Sequence, residues 1–410
     1  MRVQKRKLLK LVGLLGAVVC LMGCARTYPE QSSARAMTET TRQQPTETET
    51  YQEVSQGKAP PSTATSRIVE TVDENFHIDA DVVGYPADGM AGIYIGMPKV
   101  FTKEEINAFV EYCGGSITSV KEWDDGDMMY YNGTSPNGYR FSYMRGLEGV
   151  NHHPYALFQY ASPEYAEIYG EYPIFRGEEF YYTNAQNTIG WMFTEPKSFS
   201  FATEKEAEES VREALEILGL PELKLFRTLY IDHATMVEAE TLLTTDENFA
   251  PLPGKEDDVY PPLPDDWSEE YDAYIFSFGI AVADTPMSFH FQAGDTANYC
   301  GTDIIVLYTK HGITSLSVGT PWEVGNKVKE PASIVSAQAA MEVAKKKYSY
   351  DLKRKDKRVE EIRLEFQYFQ NRDQWLLKPV WSVMVSFTNE YADGRYFDFT
   401  NIDALTGQEI

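Results

Sequence analysis

The chain has 410 residues, enough for two or three domains, and 43% of them are hydrophobic, so the sequence can bury a sizeable core. It carries 62 acidic residues against 37 basic ones, a net charge of −25 at pH 7. Nucleic-acid binding needs a basic surface, so this balance argues against a nucleic-acid partner. Four cysteines in a chain of this length exclude a scaffold held together mainly by disulfide bonds.

The N-terminus has the features of a secretory signal. Residues 1–10 include Arg2, Lys5, Arg6, Lys7 and Lys10 and no acidic residue. The apolar run Leu11–Met22 follows. A helix of that run spans about 18 Å, too short for a hydrocarbon core of about 30 Å. The run leads into Leu21-Met22-Gly23-Cys24, which resembles a bacterial lipobox. The resemblance implies that residues 1–23 are a removed signal peptide and that acyl chains on Cys24 hold the protein at the outer face of the cell membrane.

Residues 24–66 are predicted to be a lipid-anchored disordered tether. They are rich in Thr, Ser, Gln, Glu and Pro and contain few large apolar side chains. The rest of the chain is strongly acidic and is repelled by anionic lipid headgroups. We therefore expect the lipid anchor, and not a basic patch, to keep the protein at the membrane.

An N-terminal α+β domain is predicted for residues 67–197. Apolar and polar side chains alternate from Phe76 to Val82, as in a strand with one polar face. Thr102 and Glu105 form the capping box of a helix over 102–113, which Gly114-Gly115 ends. Short Tyr-rich strands, separated by Gly-containing turns, follow from about residue 116 to 194.

A middle α+β domain is predicted for residues 198–329. A second capping box, Thr203 and Glu206, begins a helix with an apolar stripe. A strand over 223–231 and a short helix from His233 to Leu243 follow. An acidic, Pro-rich loop then precedes strands in the region 273–318.

The C-terminal unit, residues 330–410, has the clearest pattern. Ser336 is predicted to cap a helix, and alternation predicts strands over Ile362–Tyr368, Trp381–Phe387 and 395–402. The predicted inner face of the helix is Ala337, Ala340, Met341, Ala344 and Tyr348.

This unit is similar to the PepSY-like modules of bacterial extracytoplasmic proteins. The likeness rests on the Ser336 helix, the strand Ile362–Tyr368, Leu377–Trp381 and the closing Ile402–Ile410. Related modules regulate sensor kinases or peptidases, so the resemblance implies a protein partner and names no active-site residue. The whole layout also resembles large lipoproteins of Gram-positive gut bacteria.

These elements together predict an α+β fold. We expect antiparallel sheets, each packed by one or a few helices, in two or three α+β units that follow the tether.

Two segments carry side chains that can bind a cation. His77, Asp79 and Asp81 share one face of a strand, but same-face neighbours are roughly 7 Å apart, which favours a wet outer face. Residues 256–272 are dense in carboxylates that suit calcium, but they lack EF-hand spacing and are interrupted by prolines, which favours a solvated loop. Asp124, Asp125 and Asp127 flank a hairpin turn and have the same interpretation. No metal and no cofactor is predicted.

No catalytic motif is present. The chain lacks G-x-S-x-G, H-E-x-x-H, P-loop and G-x-G-x-x-G sequences, and the pair His152-His153 has no partner at a meaningful spacing. Cys113 is predicted on the buried face of its helix, with a disulfide to Cys300 as the alternative. The protein is predicted not to be an enzyme, with a hydrolase site of unrecognised pattern as the alternative.

Tyrosines are concentrated in the middle of the chain. Aromatic rings on a surface can stack against sugar rings or hold a peptide, whereas cross-strand pairing within a sheet is the favoured explanation. The residues concerned are Tyr130, Tyr131, Tyr139, Tyr143, Tyr155, Tyr160, Tyr165, Tyr169, Tyr172, Tyr181 and Tyr182.

The predicted function is that of a membrane-anchored extracytoplasmic lipoprotein that binds another protein without catalysis and regulates a sensor kinase or a peptidase. The alternative is a glycan- or peptide-binding lipoprotein that uses the Tyr-rich region. The sequence does not indicate an oligomeric state.

Overall fold

The computed structural model describes residues 67–86, 88–124, 126, 128–146, 156–170, 173–176, 190–220, 222–245, 266–288, 302–351, 353–371, 374–389 and 392–410. All of these residues belong to one compact unit, Ala59–Ile410. The predicted signal peptide, Cys24 and the tether lie outside the described residues. Within the described ranges, no helix has the length and apolar character that a membrane span requires.

The described residues form mainly β-strands. The strands are β1 (Arg67–Asp73), β2 (Phe76–Val83), β3 (Met90–Pro98), β4 (Ser119–Asp124), β5 (Met128–Thr134), β6 (Arg140–Gly146), β7 (Ala156–Ala161), β8 (Leu223–Ile231), β9 (Ala273–Val282), β10 (Thr285–Pro286), β11 (Asp303–Thr309), β12 (Gly312–Gly319), β13 (Trp322–Ser333), β14 (Arg354–Asn371), β15 (Gln374–Asn389) and β16 (Ala392–Asp403). The α-helices are α1 (Lys103–Tyr112), α2 (Glu204–Ile217), α3 (His233–Thr245) and α4 (Ala337–Ser349).

The strands assemble into two large sheets. The seven-stranded sheet has the order β1-β2-β14-β15-β3-β13, with β16 paired to β15 beside β3. The nine-stranded sheet has the order β10-β9-β11-β12-β7-β6-β5-β4, with β8 paired to β9. In the described part of the chain only β2 and β14 pair in parallel.

The predicted α+β architecture is wrong, because the structure is a β-rich fold of two large sheets with few helices. Local periodicity identifies a strand but not its distant partner. The strands β1 to β3 and β13 to β16 form one sheet although the whole nine-stranded sheet lies between them in sequence. The predicted domain boundaries at 197/198 and 329/330 stay predictions.

The predicted helix caps are confirmed. The side chains of Thr102 and Thr203 accept hydrogen bonds from the backbone N–H three residues on, and both capping boxes are complete. The Ser336 hydroxyl caps α4 by accepting from the Ala339 backbone N–H, and all the residues predicted for the inner face of α4 are buried. Each cap depends on residues only a few positions apart, so it can be predicted from the sequence alone.

A single hydrophobic cluster contains residues from both sheets. On the seven-stranded sheet, the ring of Tyr348 from α4 packs edge-on against Phe76. On the nine-stranded sheet, Phe109 from α1 packs against Phe158 at a ring-centroid distance of 5.7 Å. A second cluster covers the other face of the nine-stranded sheet, and its members among the described strands lie on β8, β9 and β11. The remaining part of that other face is therefore where a site on this sheet can be sought.

Candidate functional site

The face of β4, β5, β6, β7 and β12 that lies opposite the core carries three cross-strand rows of side chains. Every one of these positions is exposed or half-buried, and together we call them the open face. The strand register defines the rows as Ser119–Thr134–Arg140–Ala161–Ser315, Lys121–Asn132–Ser142–Gln159–Ser317 and Trp123–Tyr130–Met144–Leu157–Gly319.

The open face differs in charge from the chain as a whole. Its rows contain two basic side chains, Lys121 and Arg140, and the one described carboxylate beside them is that of Asp303 on β11, which lies over Gly319 at the end of the third row, whereas the whole chain has a net charge of −25. Successive residues of a strand point to opposite sides of the sheet, so this distribution of charge describes only the open face and not its underside. The open face is thus a neutral to weakly basic area on an acidic protein.

The core side of these strands holds the open face in place. Phe141 and Phe158 belong to the main hydrophobic cluster and are buried, and Phe158 contacts α1 through Phe109. Gly133 lies beside the Phe141 ring, and any side chain at position 133 would clash with that ring. A rigid, packed underside keeps the spacing of the rows on the open face fixed.

Trp123 and Tyr130 form a stacked aromatic pair on the open face. Their ring centroids are 4.5 Å apart and their planes differ by 9°. The centroid distance matches the spacing of adjacent strands, so the two rings stand upright on β4 and β5. Trp123 lies on the last strand of the described order and is 43% exposed, so part of the indole is accessible to a ligand.

The central row offers amide and hydroxyl groups. The Ser142 hydroxyl donates a hydrogen bond of 2.8 Å to the Asn132 Oδ1, and Gln159 follows in register with Ser142. Such groups donate and accept hydrogen bonds without carrying charge. A row of them beside an aromatic pair suits recognition of a polar ligand that has flat apolar faces.

A second unusual constellation lies on β14. Glu361, Arg363, Glu365 and Gln367 point away from the core, and we call them the buried ladder. The Arg363 Nε and Nη2 donate to the two carboxylate oxygens of Glu361 at 2.8 and 2.9 Å. The Gln367 Nε2 donates to the Glu365 Oε1 at 2.8 Å and to the Asn401 Oδ1 at 3.2 Å.

The nine-stranded sheet covers the buried ladder. The Phe226 ring of β8 lies 4.9 Å from the guanidinium carbon of Arg363. The backbone N–H of Ser288, which follows β10, donates to the Phe366 carbonyl at 2.7 Å. Gly84 lies close to β14 on the same stretch: its φ is +81°, and a Cβ there would lie 2.6 Å from the Leu364 carbonyl oxygen, so both the backbone conformation and the space require glycine.

Burial dominates the electrostatics of the ladder. Glu365 is 1% exposed, and desolvation raises its pKa to about 7, against smaller lowering effects of Gln367, Ser288 and Arg363. Burial also lowers the pKa of Arg227 on β8, which faces Glu361 and Arg363. Strongly shifted groups mark either functional sites or structural ion-pair networks.

One histidine–carboxylate pair has the geometry that hydrolases use. His233 Nδ1 lies 2.8 Å from Asp272 Oδ1, and the His233 backbone N–H donates to the same oxygen at 2.8 Å. His233 is the first residue of α3, so Asp272 satisfies a free N–H at the helix N-terminus. Among the described residues, no hydroxyl or thiol hydrogen-bonds to this ring, so the pair has a structural explanation and lacks a nucleophile.

Several of the described residues among the predicted cation ligands have other partners. Asp79 and Asp81 on β2 are 2.7 and 3.7 Å from Arg67, and this hydrogen bond from Arg67 lowers the pKa of Asp79. Asp124 accepts from the Gly126 backbone N–H in its turn. Within the described ranges, no group of His, Cys, Asp and Glu has the arrangement of a metal site.

Several other predicted residues lie outside the described ranges. These are Cys24, Asp125, Asp127, most of the acidic loop 256–272, the pair His152-His153 and Cys300. Cys113 ends α1 as a free thiol, and burial raises its pKa.

Most described tyrosines of the Tyr-rich region belong to the core. Tyr131, Tyr143 and Tyr160 are buried on neighbouring strands, which agrees with the favoured explanation of packing within a sheet, and Tyr169 is buried in a short helical turn. Tyr130 is the exception, because it stacks on Trp123 on the open face. Sequence reasoning missed Trp123, although counting outward from the predicted Asp125-Gly126 turn places it close to Tyr130 across the hairpin.

Comparisons with known proteins give the fold only. A scan against protein-family models finds no match, and a search of curated proteins finds none. Among solved structures, the chain is similar to a protein of Eubacterium rectale described as uncharacterized, with a TM-score of 0.60 and 14% sequence identity. The alignment covers 84% of this chain and 93% of that chain. The two chains therefore share a fold, and no function follows from the likeness.

Proposed function

We propose that the protein is a non-catalytic binding lipoprotein at the outer face of the cell membrane and that the open face binds a glycan. The observation that carries this proposal is the stacked pair Trp123–Tyr130 beside a row of amide and hydroxyl side chains. Sugar rings have apolar faces that pack on aromatic rings and hydroxyl groups that pair with amides. Lys121 and Arg140 lie in the two rows away from Asp303, and this favours glycans that are neutral or carry negative groups.

Glycan binding can be measured with the full chain on an array of neutral and uronic-acid-containing polysaccharides. The variant Trp123→Ala removes the exposed indole, and we expect at least a tenfold loss of affinity. Tyr350→Ala is the matched control, because Tyr350 is an exposed aromatic residue, 81% accessible, outside the open face. Unchanged binding by Trp123→Ala, binding to peptides alone, or no binding at all would overturn the proposal.

Membrane anchoring is tested independently through Cys24. Cys24→Ala removes the sulfur that the lipobox resemblance marks for acylation, so we expect the variant to leave the membrane fraction and to incorporate no labelled fatty acid. Cys113→Ala is the control, since Cys113 is a half-buried cysteine that packs against the core at the end of α1. Fatty-acid labelling of Cys24→Ala would contradict the anchor.

The partner inferred from the PepSY resemblance, a sensor kinase or peptidase, stays a prediction. Residues 330–410 contain β14 and β15, which pair with each other in the middle of the seven-stranded sheet. Leu364 and Trp381 on these strands are fully buried. Deleting the segment would unfold the sheet, so a protein partner must be sought with single surface substitutions.

A further inference from the structure

The buried ladder contains a carboxyl group that neither the open face nor the proposed ligand uses. We propose that Glu365 is a proton-binding site that makes the contact between the two sheets sensitive to pH near neutrality. This inference stands apart from glycan binding and from the lipid anchor.

The hydrogen bonds around Glu365 suit the protonated acid better than the carboxylate. Among the described residues, Glu365 Oε2 has no hydrogen-bond partner, and neither has Gln367 Oε1. Both side chains are 1% exposed, so water does not reach them freely. An ionised carboxylate in such a place lacks donors for its second oxygen, whereas a proton removes the charge and adds a donor.

The neighbouring charges do not hold Glu365 in its ionised form. Arg363 donates in bidentate fashion to Glu361, so its guanidinium is directed away from Glu365. Arg227 of β8 faces Glu361 and Arg363. On β2, Asp81 lies in register with Glu361 and faces Arg67.

The strands on the other side of β14 add two further charges to this face, and each is engaged elsewhere. The Lys378 Nζ of β15 lies over the Phe369 ring at 5.2 Å. The Asp403 Oδ1 of β16 accepts from the backbone N–H groups of Leu405 and Thr406. The other described residues in register here, Val380, Ser382 and Asn401, are uncharged. Desolvation thus prevails over the attraction of Arg363, and the charge of Glu361 acts in the same direction as desolvation.

Glu365 lies at the point where the two sheets are joined. The Ser288 N–H donates to the Phe366 carbonyl at 2.7 Å, and the Thr302 N–H donates to the Ser288 carbonyl at 2.8 Å. The Ser288 side chain also hydrogen-bonds to Glu365. A negative charge on Glu365 is therefore created directly beside the residue that links the nine-stranded sheet to β14.

The direction of the pH effect follows from the raised pKa. The folded protein holds the Glu365 proton up to about pH 7, whereas a water-exposed glutamate loses it near 4.5. The contribution of the bound proton to the stability of the closed junction is complete below about pH 4.5 and is lost as the pH rises to about 7. Opening of the junction should therefore become easier as the medium changes from acidic to slightly alkaline.

A direct test is an NMR titration of the full chain with ¹³C-labelled glutamate carboxyl groups. We expect one signal with a midpoint near 7 that is missing in Glu365→Gln. Glu330→Gln is the control, because the Glu330 side chain is 84% exposed, and this variant should keep the signal. If every glutamate titrates below about 5, the proposal fails; this readout on the unaltered chain does not depend on the folding of the variant.

The coupling to the junction is tested by amide hydrogen exchange at Ser288 and Thr302. After correction for intrinsic rates, we expect about tenfold more frequent opening at pH 8 than at pH 6, because opening exposes Glu365 to water. Glu365→Gln should remove this pH dependence, and Glu330→Gln should keep it. Equal protection at both pH values in the unaltered chain would overturn the link between Glu365 and the junction.

Discussion

The two sheets each have a polar face opposite the shared core, and the two polar faces have different surroundings. On the nine-stranded sheet, the polar face of β4 to β7 is the open face, where every position is exposed or half-buried. On the seven-stranded sheet, the polar face of β14 is the buried ladder, covered by Phe226 and by the chain at Ser288. The central row of the open face consists mainly of amide and hydroxyl side chains, whereas the ladder contains paired charged side chains.

Alternation along a strand therefore shows which face packs into the core, but not whether the opposite face is exposed to water. Ile362, Leu364 and Phe366 alternate with charged residues as on an ordinary surface strand. Glu365 is nonetheless buried, and the side chains of Arg363 and Glu361 are only 14% and 23% exposed, because a second sheet lies against them. A buried charge must be paired, and Arg363 with Glu361 satisfies this requirement.

The largest expected effect comes from breaking the ladder at Arg363. Arg363→Met leaves Glu361 without its bidentate partner, and we expect a loss of about 3–5 kcal/mol in the free energy of unfolding. Arg140→Met on the open face is the matched control and should change it by about 0.5 kcal/mol or less. Urea unfolding of both variants measures the difference. Equal effects would contradict the burial of the ladder.

Replacing a glutamine of the buried ladder should lower the free energy of unfolding by less than breaking the ion pair of Arg363. Gln367→Leu removes the donor to Glu365 Oε1 from a fully buried site, and we expect a loss of about 1–3 kcal/mol. Gln159→Leu makes the same chemical change on the open face, where water can replace lost hydrogen bonds, and should cost about 0.5 kcal/mol or less. Thermal unfolding at pH 6 compares them. A larger loss for Gln159→Leu would reverse the comparison.

Local elements of the fold could be predicted from the sequence, and their assembly could not. The capping boxes at Thr102 and Thr203 and the α4 face that begins at Ala337 depend on residues a few positions apart. The pairing of β3 with β13 and β15 joins residues from distant parts of the chain. That pairing produced a β-rich fold in place of the expected α+β units, since local patterns contain no information about which strands meet.

The candidate site was predictable only in part. The Tyr-rich region indicated aromatic packing, and Tyr131 and Tyr160 confirm it. The residue that matters most on the open face, Trp123, emerges only when the hairpin register is known. Glu365 was not predictable, because its burial depends on contacts with Ser288, a residue far away in sequence. Long-range packing sets burial, and burial sets the pKa.

The smallest expected effect on stability is that of Trp123→Ala, which bears most directly on function. Trp123 is on the terminal strand β4 and is 43% exposed, so losing its stack on Tyr130 should cost about 1 kcal/mol or less. Glycan affinity should nonetheless fall at least tenfold, because the indole supplies the stacking surface. Measuring both quantities on one variant separates binding from folding. A stability loss as large as that of Arg363→Met would show that Trp123 belongs to the structural framework and would remove the basis of the open face as a binding site.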